Sequence, residues 1–170
     1  IKVEKRVLLS AEFIHNGRKV KAVAANEFVV RSLAGGKIIS VNVSIDEKTT
    51  TEYKCDGMII ATPTGSTAYS LAAFGPIVYP TLPISILTPI SPHMLSQRPM
   101  ILSEDKQIFL WAQNKENTAK ILISVDGQDN FTIANKSKIR FSIYKKPLKL
   151  IENCSKPYFE TLKKKLNWGV

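Results

Sequence analysis

The sequence has few cysteines, no long apolar run and fewer acidic than basic residues. Only two of its 170 residues are cysteines, Cys55 and Cys154, which are too few and too far apart for a disulfide scaffold or a four-ligand zinc site. No apolar run approaches the roughly 18 residues that a membrane-spanning helix needs, and Ile1 opens no signal-peptide pattern. We therefore expect a soluble protein of a reducing compartment, the cytoplasm, with no membrane partner.

The shortage of acidic residues leaves a clear positive charge. Lys and Arg outnumber Asp and Glu by 24 to 14, a formal net charge of +10, and from Lys136 onward ten basic residues face only Glu152 and Glu160. Such a region is typical of nucleic-acid-binding surfaces, of proteins that attract phosphorylated small molecules, and of ordinary solvated faces. Because no Arg-rich, RNP-type or helix-turn-helix motif accompanies it, we expect a solvated face and no nucleic-acid partner.

Charge is absent altogether from residues 57–97, which contain six prolines. The prolines exclude a long helix, and the apolar content excludes a linker. This stretch is predicted to form buried irregular structure around one short helix, the kind of segment that builds a binding site.

Elsewhere apolar and polar residues alternate, which predicts half-buried β-strands. The predicted strands are 7–15, 20–32, 41–46, 58–61, 84–87, 107–112, 121–125, 138–143 and 148–150, with turns at Asn16-Gly17, Gly35-Gly36 and Asp126-Gly127. Many short strands with regular turns are typical of a mainly-β protein, and we predict a β-sandwich.

Two helices are predicted. The first covers 67–74, with Gly65 and Ser66 as turn and capping residues. The second follows Pro157 and carries an apolar stripe of Phe159, Leu162 and Leu166. We therefore divide the chain into a β-sandwich domain, residues 1–155, and a C-terminal helix, residues 156–170, whose stripe needs a surface to pack on.

The most informative stretch runs from Asp56 to Ser70 and reads DGMIIATPTGSTAYS. It predicts a buried strand, a tight turn and the start of a helix. A helix N-terminus leaves backbone N–H groups free for anionic or hydroxyl-rich ligands, and here several hydroxyl side chains and the ring of Tyr69 lie beside it. The residues alone fit either a ligand site or a capped helix that follows a buried strand.

This stretch, together with several others, resembles the NAD kinase family over essentially the whole chain. The further matching segments are Ala25-Asn26-Glu27, FGPIVYP (74–80), LTPISPH (87–93), LSQRP (95–99), DGQ (126–128) and YFETL (158–162). The resemblance implies the β-sandwich C-terminal domain of a two-domain fold shared with diacylglycerol kinases. It implies phosphorylation of the 2′-hydroxyl of the adenosine ribose of NAD, giving NADP, with ATP accompanied by Mg²⁺, or polyphosphate, as donor. It also implies a homo-dimer or homo-tetramer with sites shared between subunits.

The resemblance further assigns NAD-binding residues. Asn26 and Glu27 would hydrogen-bond NAD, and Asp56 would bind the nicotinamide end of an NAD held mainly by a neighbouring subunit. Three residues at the helix start, Thr67, Ala68 and Tyr69, would hold the adenosine moiety. The other binding positions that it implies are Lys37, Lys54, Ser70, Leu71, Ala72 and Gln128. The family commonly has Ser where Ala72 stands, so one hydroxyl contact is missing here, and no residue is assigned to a metal.

The catalytic aspartate of the family, which lies in a Gly-Gly-Asp-Gly motif, is absent from this sequence. The one Gly-Gly pair, Gly35-Gly36, is followed by Lys37. We therefore predict no catalytic residue in this chain and no activity of the chain alone. The aspartate is expected upstream, on an N-terminal α/β domain against which the C-terminal helix would pack.

Two other functions fit parts of the sequence. One is a non-enzymatic NAD-binding regulatory module. The other is a lipid-kinase-like domain, against which the Asn-Glu pair and the Thr-Ala-Tyr segment argue. The reactive side chains His93 and Cys55 are predicted to be a hydrogen-bonded core histidine and a packed, unreactive thiol, respectively.

Overall fold

A computed structural model describes residues 3–34, 38–114, 120–151 and 157–167. The strands of this part of the chain are β1 (Val3–Arg6), β2 (Leu9–His15), β3 (Arg18–Ala24), β4 (Glu27–Ser32), β5 (Ile39–Ile45), β6 (Thr49–Cys55), β7 (Gly57–Ala61), β8 (Ile84–Ile90), β9 (Met100–Ser103), β10 (Ile108–Asn114), β11 (Ile121–Val125), β12 (Asp129–Ile133), β13 (Ile139–Ile143) and β14 (Leu148–Ile151). A 3₁₀ turn (Thr64–Thr67), α1 (Tyr69–Ala72) and α2 (Tyr158–Leu166) complete it.

Two six-stranded antiparallel sheets form the body of the molecule. The first has the order β3-β2-β13-β10-β5-β6 and the second has the order β12-β11-β4-β7-β8-β9, while β1 and β14 pair separately. The sheets face each other across the main core, where Phe28 lies 5.4 Å from Phe141 and Phe13 lies 5.3 Å from Phe131 between ring centroids. The predicted mainly-β sandwich is confirmed.

The alternating sequence accounts for the inner face of the first sheet. In β5 every second residue, Ile39, Val41 and Val43, is buried, and in β10 the same holds for Ile108, Leu110 and Ala112. Because successive side chains point to opposite faces of a strand, one apolar residue in two is enough to build this side of the core.

The central strands of the second sheet, β4, β7 and β8, are buried on both faces, which explains the unbroken apolar run of β7. All five residues of β7 are buried. Met58 and Ile60 belong to the main core, whereas Ile59 and Ala61 pack with Val78 in a second cluster on the outer face. The uncharged segment between β7 and β8 therefore covers this sheet, and it carries the 3₁₀ turn and α1 with it.

The strand pattern differs from the prediction in two ways. The predicted strand 20–32 is two strands, because the chain bends at Ala25-Asn26 between β3 and β4. The strands β1, β6, β9 and β12 were not predicted, since they lie at sheet edges or in the small sheet and lack a clean apolar alternation.

The helices also differ in detail. The predicted helix 67–74 is a 3₁₀ turn followed by the single turn of α1, with Ala68 between them at φ −100° and ψ −131°. The C-terminal helix α2 begins after Pro157 as predicted. Its Leu162 is buried, while Phe159 is 59% exposed and contacts Tyr79 at 5.9 Å between ring centroids. None of the helices in these described ranges is long and apolar enough to span a membrane.

Candidate functional site

The bend between β3 and β4 places Asn26 and Glu27 at one end of the second sheet. Glu27 pairs with Ala61 at the end of β7, so the residues that follow β7 pass directly beside it. The N–H of Thr62 donates to the carbonyl of Asn26 at 2.8 Å, and its hydroxyl donates to the carbonyl of Ala25 at 2.6 Å. The buried Thr62 thus fastens the Asn-Glu pair to the start of the Thr-Pro-Thr-Gly-Ser-Thr turn.

Gly65 allows the turn to lie against the same bend. A Cβ atom at this position would be 2.2 Å from the carbonyl oxygen of Asn26, closer than any side chain can approach. The N–H of Gly65 donates to the hydroxyl of Thr62 at 3.0 Å. This close approach is what brings the 3₁₀ turn and α1 next to Asn26 and Glu27.

The backbone N–H groups of Gly65, Ser66 and Ala68 are bonded within the protein, so the expectation of free amides at the helix start is wrong for these three. The N–H of Ser66 donates to the carbonyl of Pro63 and that of Ala68 donates to the carbonyl of Gly65. The N–H of Tyr69 lies near the carboxylate of Glu27 and lowers the pKa of that group. The reason is that in a 3₁₀ turn each amide reaches the carbonyl three residues earlier. Ligand contacts at this turn therefore depend largely on its side chains.

The most unusual of these side chains is Glu27, which is only 6% exposed. Burial and, to a smaller extent, the nearby charge of Asp126 together raise the pKa of its carboxyl from 4.5 to about 7, although the N–H of Tyr69 acts in the opposite direction. Its Oε2 atom is buried and has no hydrogen-bond partner in the described part of the chain. An acceptor in this state needs a donor from elsewhere, such as a ligand hydroxyl.

A turn between β11 and β12 closes the other side of the Asn-Glu pair. The carboxylate of Asp126 accepts three consecutive backbone N–H groups, those of Ala25 at 2.8 Å, Asn26 at 2.7 Å and Glu27 at 3.0 Å. Gln128 is exposed two residues further along, and its N–H donates to the carbonyl of Val125. The turn thus brings Gln128 to the side of the site.

The residues predicted around the helix start lie together here, with different exposure. Thr67 and Tyr69 are exposed, Tyr69 by 44%, whereas Ala68 is half-buried. Ser70 is buried, with its hydroxyl bonded to that of Thr88 at 3.0 Å. Leu71 and Ala72 complete α1, half-buried and exposed respectively. Contacts between these residues and NAD remain predictions.

Lys54 and Asp56 lie apart from this group. Asp56 precedes β7 and its N–H donates to the carbonyl of Ile90, so the length of β7, ~16 Å at about 3.3 Å per residue, separates it from Thr62. Lys54 is exposed near the same end of β7, beside the loop that carries His93. Lys37 lies outside the described residues.

Of the predictions for the two reactive side chains, the one for His93 is wrong and the one for Cys55 is confirmed. The prediction of a core position for His93 is wrong, because His93 is exposed in the loop after β8, where its backbone N–H donates to the carbonyl of Lys54 at 2.9 Å. Cys55 is fully buried, and burial raises the pKa of its thiol to about 12. The prediction of a packed thiol is therefore confirmed, since so little thiolate forms at neutral pH.

The residues of the site do not fit a resident metal ion. Within the described ranges, no three His, Cys, Asp or Glu side chains are grouped to hold one. The two carboxylates that meet here are also poor ligands, since Asp126 already accepts three N–H donors and the pKa of Glu27 is raised.

Two structural residues of the site have roles that we did not predict from the sequence. Thr62 and Asp126 both bind backbone atoms of the Asn-Glu bend. The available signal was Asp126-Gly127, a pair typical of tight hairpin turns. That signal predicts the turn, but it cannot reveal which distant backbone the carboxylate would meet.

Comparisons with known proteins bear on the family and the fold of this chain. Residues 25–153 match the family model described as ATP-NAD kinase C-terminal domain. The chain is 36% identical over 168 residues to an NAD kinase of Geotalea daltonii, covering 98% of this chain and 58% of that relative. The chain thus spans less than two thirds of this relative's length.

Two solved structures share the fold. A yeast NADH kinase complexed with NADH superposes with a TM-score of 0.86 at 26% identity, covering 99% of this chain and 49% of that one. An NAD kinase from Archaeoglobus fulgidus in complex with ATP gives a TM-score of 0.77 at 28% identity, covering 91% of this chain and 57% of that one. Together with the family model, these similarities show that the chain belongs to the family of ATP-NAD kinase C-terminal domains.

Proposed function

We propose that this chain binds NAD, with the adenosine half against Asn26, Glu27, Thr67, Ala68 and Tyr69. In the whole protein, the 2′-hydroxyl of that ribose would receive a phosphoryl group from ATP or polyphosphate, giving NADP. The observation that carries the proposal is the buried Oε2 atom of Glu27, an acceptor without a partner among the described residues, beside exposed polar and aromatic side chains.

The chemistry of adenosine matches what the site offers. Its ribose carries hydroxyl donors, and a buried carboxyl oxygen gains most from such a donor because its own desolvation is otherwise uncompensated. Asn26 is half-buried and offers both a donor and an acceptor, while the 44% exposed ring of Tyr69 offers a face for stacking. Ser70, Leu71, Ala72 and Gln128 would border the same ligand.

Within this proposal the chain binds and orients the acceptor nucleotide. Phosphoryl transfer depends on positioning and on charge stabilisation, with a further group that orients or deprotonates the attacking hydroxyl. The described residues supply the positioning, and we assign the remaining group to a part of the whole protein that this chain does not span. NAD binding without NADP formation is therefore the expected behaviour of the chain.

Lys54 and Asp56 would bind an NAD molecule whose adenosine half is held by a neighbouring subunit. The outer face of β7 is covered by the cluster around Val78. An NAD molecule held at Asn26 would have to cross this covering layer to reach Asp56 of the same chain. We infer a homo-dimer or homo-tetramer in which the Asp56 end of one subunit meets the adenosine site of another. We assign Lys37 to the same ligand on the resemblance alone.

We also propose a cytoplasmic location. The support is Cys55, which is unpaired and buried, as is usual for thiols in a reducing compartment.

The binding proposal predicts that Asn26→Ala and Tyr69→Ala each weaken NAD affinity about 5- to 150-fold. These factors correspond to the roughly 1–3 kcal/mol expected when a buried hydrogen bond or a stacking contact to a ligand is lost. Isothermal titration calorimetry of the 170-residue chain with NAD measures the change directly.

Asn42→Ala serves as the matched control for the asparagine variant, because Asn42 is equally half-buried but lies in the middle of β5, on the other sheet. It should leave the NAD affinity unchanged. If both site variants bind NAD as tightly as the unmodified chain, the assignment of the adenosine site is wrong.

A further inference from the structure

The turn Asp126-Gly127 between β11 and β12 lies against the Asn-Glu bend. Asp126 has φ 49° and Gly127 has φ 68°, so both residues are in the left-handed region, as in a tight two-residue hairpin. The N–H of Asp126 donates to the carbonyl of Glu27 at 3.0 Å, and the N–H of Glu27 donates back to the Asp126 carboxylate, also at 3.0 Å. This reciprocal pair fixes the side chain of Asp126 against the Asn-Glu bend.

The bend needs such a partner because it interrupts the strand. Between the end of β3 at Ala24 and the start of β4 at Glu27, the backbone N–H groups lie outside the regular ladder of either sheet. Buried N–H groups without a partner are costly. The two oxygen atoms of Asp126 satisfy both N–H groups of the bend and the first N–H of β4, with Oδ2 accepting from Ala25 and Oδ1 accepting from Asn26 and Glu27.

The same carboxylate acts on the side chain of Glu27 through its charge. Two sources of charge or polarity face the Glu27 carboxyl: Asp126 from the β11–β12 turn and the N–H of Tyr69 from α1. β7 contributes Ala61 as the register partner and therefore no titratable group. Asp126 is thus the charged neighbour that favours the protonated form of Glu27.

We propose that Asp126 is a positioning residue for the nucleotide: its carboxylate orders the backbone of residues 25–27 so that Asn26 and Glu27 face the ligand. This inference rests on the proposed function, since it concerns the same NAD molecule. Asp126 acts through the Asn-Glu pair and does not itself contact NAD.

The chain provides a matched control for this role. Asp46 has φ 51°, its N–H donates to the carbonyl of Gln107 at 2.9 Å, and its carboxylate accepts the N–H of Gln107 at 3.0 Å. The same reciprocal arrangement therefore joins the turn between β5 and β6 to the start of β10, on the other sheet and away from Asn26, with an additional ion pair from Lys106 to Asp46 at 3.0 Å. Asp46→Asn should cost stability as Asp126→Asn does, without touching the nucleotide site.

The test is NAD binding by the 170-residue chain carrying Asp126→Asn or Asp46→Asn, measured by calorimetry between pH 5.5 and 8.5 with the melting temperature recorded alongside. An asparagine at position 126 keeps the acceptor oxygen Oδ1. Its NH₂ group replaces Oδ2 and cannot accept the hydrogen bond from the N–H of Ala25. We expect Asp126→Asn to raise the Kd for NAD about tenfold or more, as is usual when a group that orients a ligand-binding residue is removed. Asp46→Asn should leave the Kd unchanged.

The pH dependence of NAD affinity distinguishes a positioning role from a purely structural one, because a purely structural role would leave it unchanged. NAD affinity of the unmodified chain should change with pH as Glu27 titrates, and Asp126→Asn should shift that change to lower pH because a like charge is lost. Asp126→Glu keeps the negative charge but displaces the carboxylate. It should weaken NAD binding, and the pH at which the affinity changes should stay nearly the same.

The results distinguish a failure of the proposed NAD binding from a failure of the positioning role of Asp126. If the unmodified chain does not bind NAD, the proposed function is wrong. If it binds NAD and Asp126→Asn binds equally well with the same pH profile, the positioning role is wrong. If both Asp126 variants fail to fold while Asp46→Asn folds, Asp126 serves the fold first and the inference is overturned.

Discussion

Gly65→Ala should lower the free energy of unfolding by about 3 kcal/mol or more, a loss at or above the upper end of the usual range for single substitutions. The added methyl group would lie 2.2 Å from the carbonyl oxygen of Asn26 and 2.6 Å from its carbonyl carbon. Both atoms belong to the backbone, so no side-chain rotation relieves the clash. Either the 3₁₀ turn or the Asn-Glu bend must move, and both belong to the nucleotide site.

Urea denaturation of Gly65→Ala and Gly17→Ala separates this clash from the general cost of replacing glycine. Gly17 has φ +75° and no atom within 4 Å of an added Cβ, so its substitution costs only the roughly 1–2 kcal/mol of a left-handed alanine. If Gly65→Ala folds with the smaller loss, it should still fail to bind NAD. Unchanged stability together with unchanged NAD affinity would contradict the geometry of the bend.

Glu27→Gln should stabilise the chain by up to about 3 kcal/mol above pH 8 and by little below pH 5. The folded protein holds the Glu27 pKa at about 7, whereas the group has a value of 4.5 when unperturbed. Between these two values the folded state binds more protons than the unfolded state, so the free energy of unfolding falls as pH rises. Each tenfold difference in proton affinity between the folded and unfolded states corresponds to about 1.4 kcal/mol of unfolding free energy. A glutamine is neutral at every pH, so the substitution removes this destabilisation completely.

The measurement is urea denaturation of the unmodified chain and of Glu27→Gln from pH 4.5 to pH 8.5. Glu104→Gln is the matched control, because Glu104 is exposed, and its stability difference should not grow over this range. Glu27→Gln should also bind NAD more weakly, since one acceptor oxygen is lost. A stability difference that is constant with pH, or that shrinks toward pH 8.5, would show that Glu27 is not a buried carboxyl with a raised pKa.

A gain in stability combined with a loss of affinity is typical of residues kept for function. The buried position of Glu27 is unfavourable for the fold alone, because its Oε2 atom has no partner among the described residues. A ligand hydroxyl would supply the missing donor. The two effects of the substitution therefore have a single physical cause.

Strands whose side chains alternate could be predicted from the sequence, and strands that depend on their neighbours could not. The alternation in β5 and β13 shows directly which residues enter the core. The sequence of β6, TTTEYKC, carries no such signal, and it is a strand because it pairs along its whole length with β5. β6 follows β5 after a three-residue turn, and its conformation depends on this cross-strand pairing more than on the pattern of its own residues.

The candidate site, too, could be predicted only in part from the sequence. The Thr-Gly-Ser-Thr turn and the neighbouring Asn-Glu pair were identifiable as segments, and the fold brings them together at the end of β7. That the turn is 3₁₀, that its amides bond internally, and that Asp126 holds the bend are consequences of packing. A sequence shows which residues are suited to a site, while the fold decides which of their atoms remain free.

The most direct test of the account is a crystal structure of the 170-residue chain saturated with NAD. We expect the adenosine half beside Thr67 and Tyr69, with a ribose hydroxyl donating to Oε2 of Glu27 and with Asn26 in hydrogen-bond contact. A structure in which NAD is absent from this position, or bound only near Lys54 while Glu27 remains unpartnered, would contradict the account.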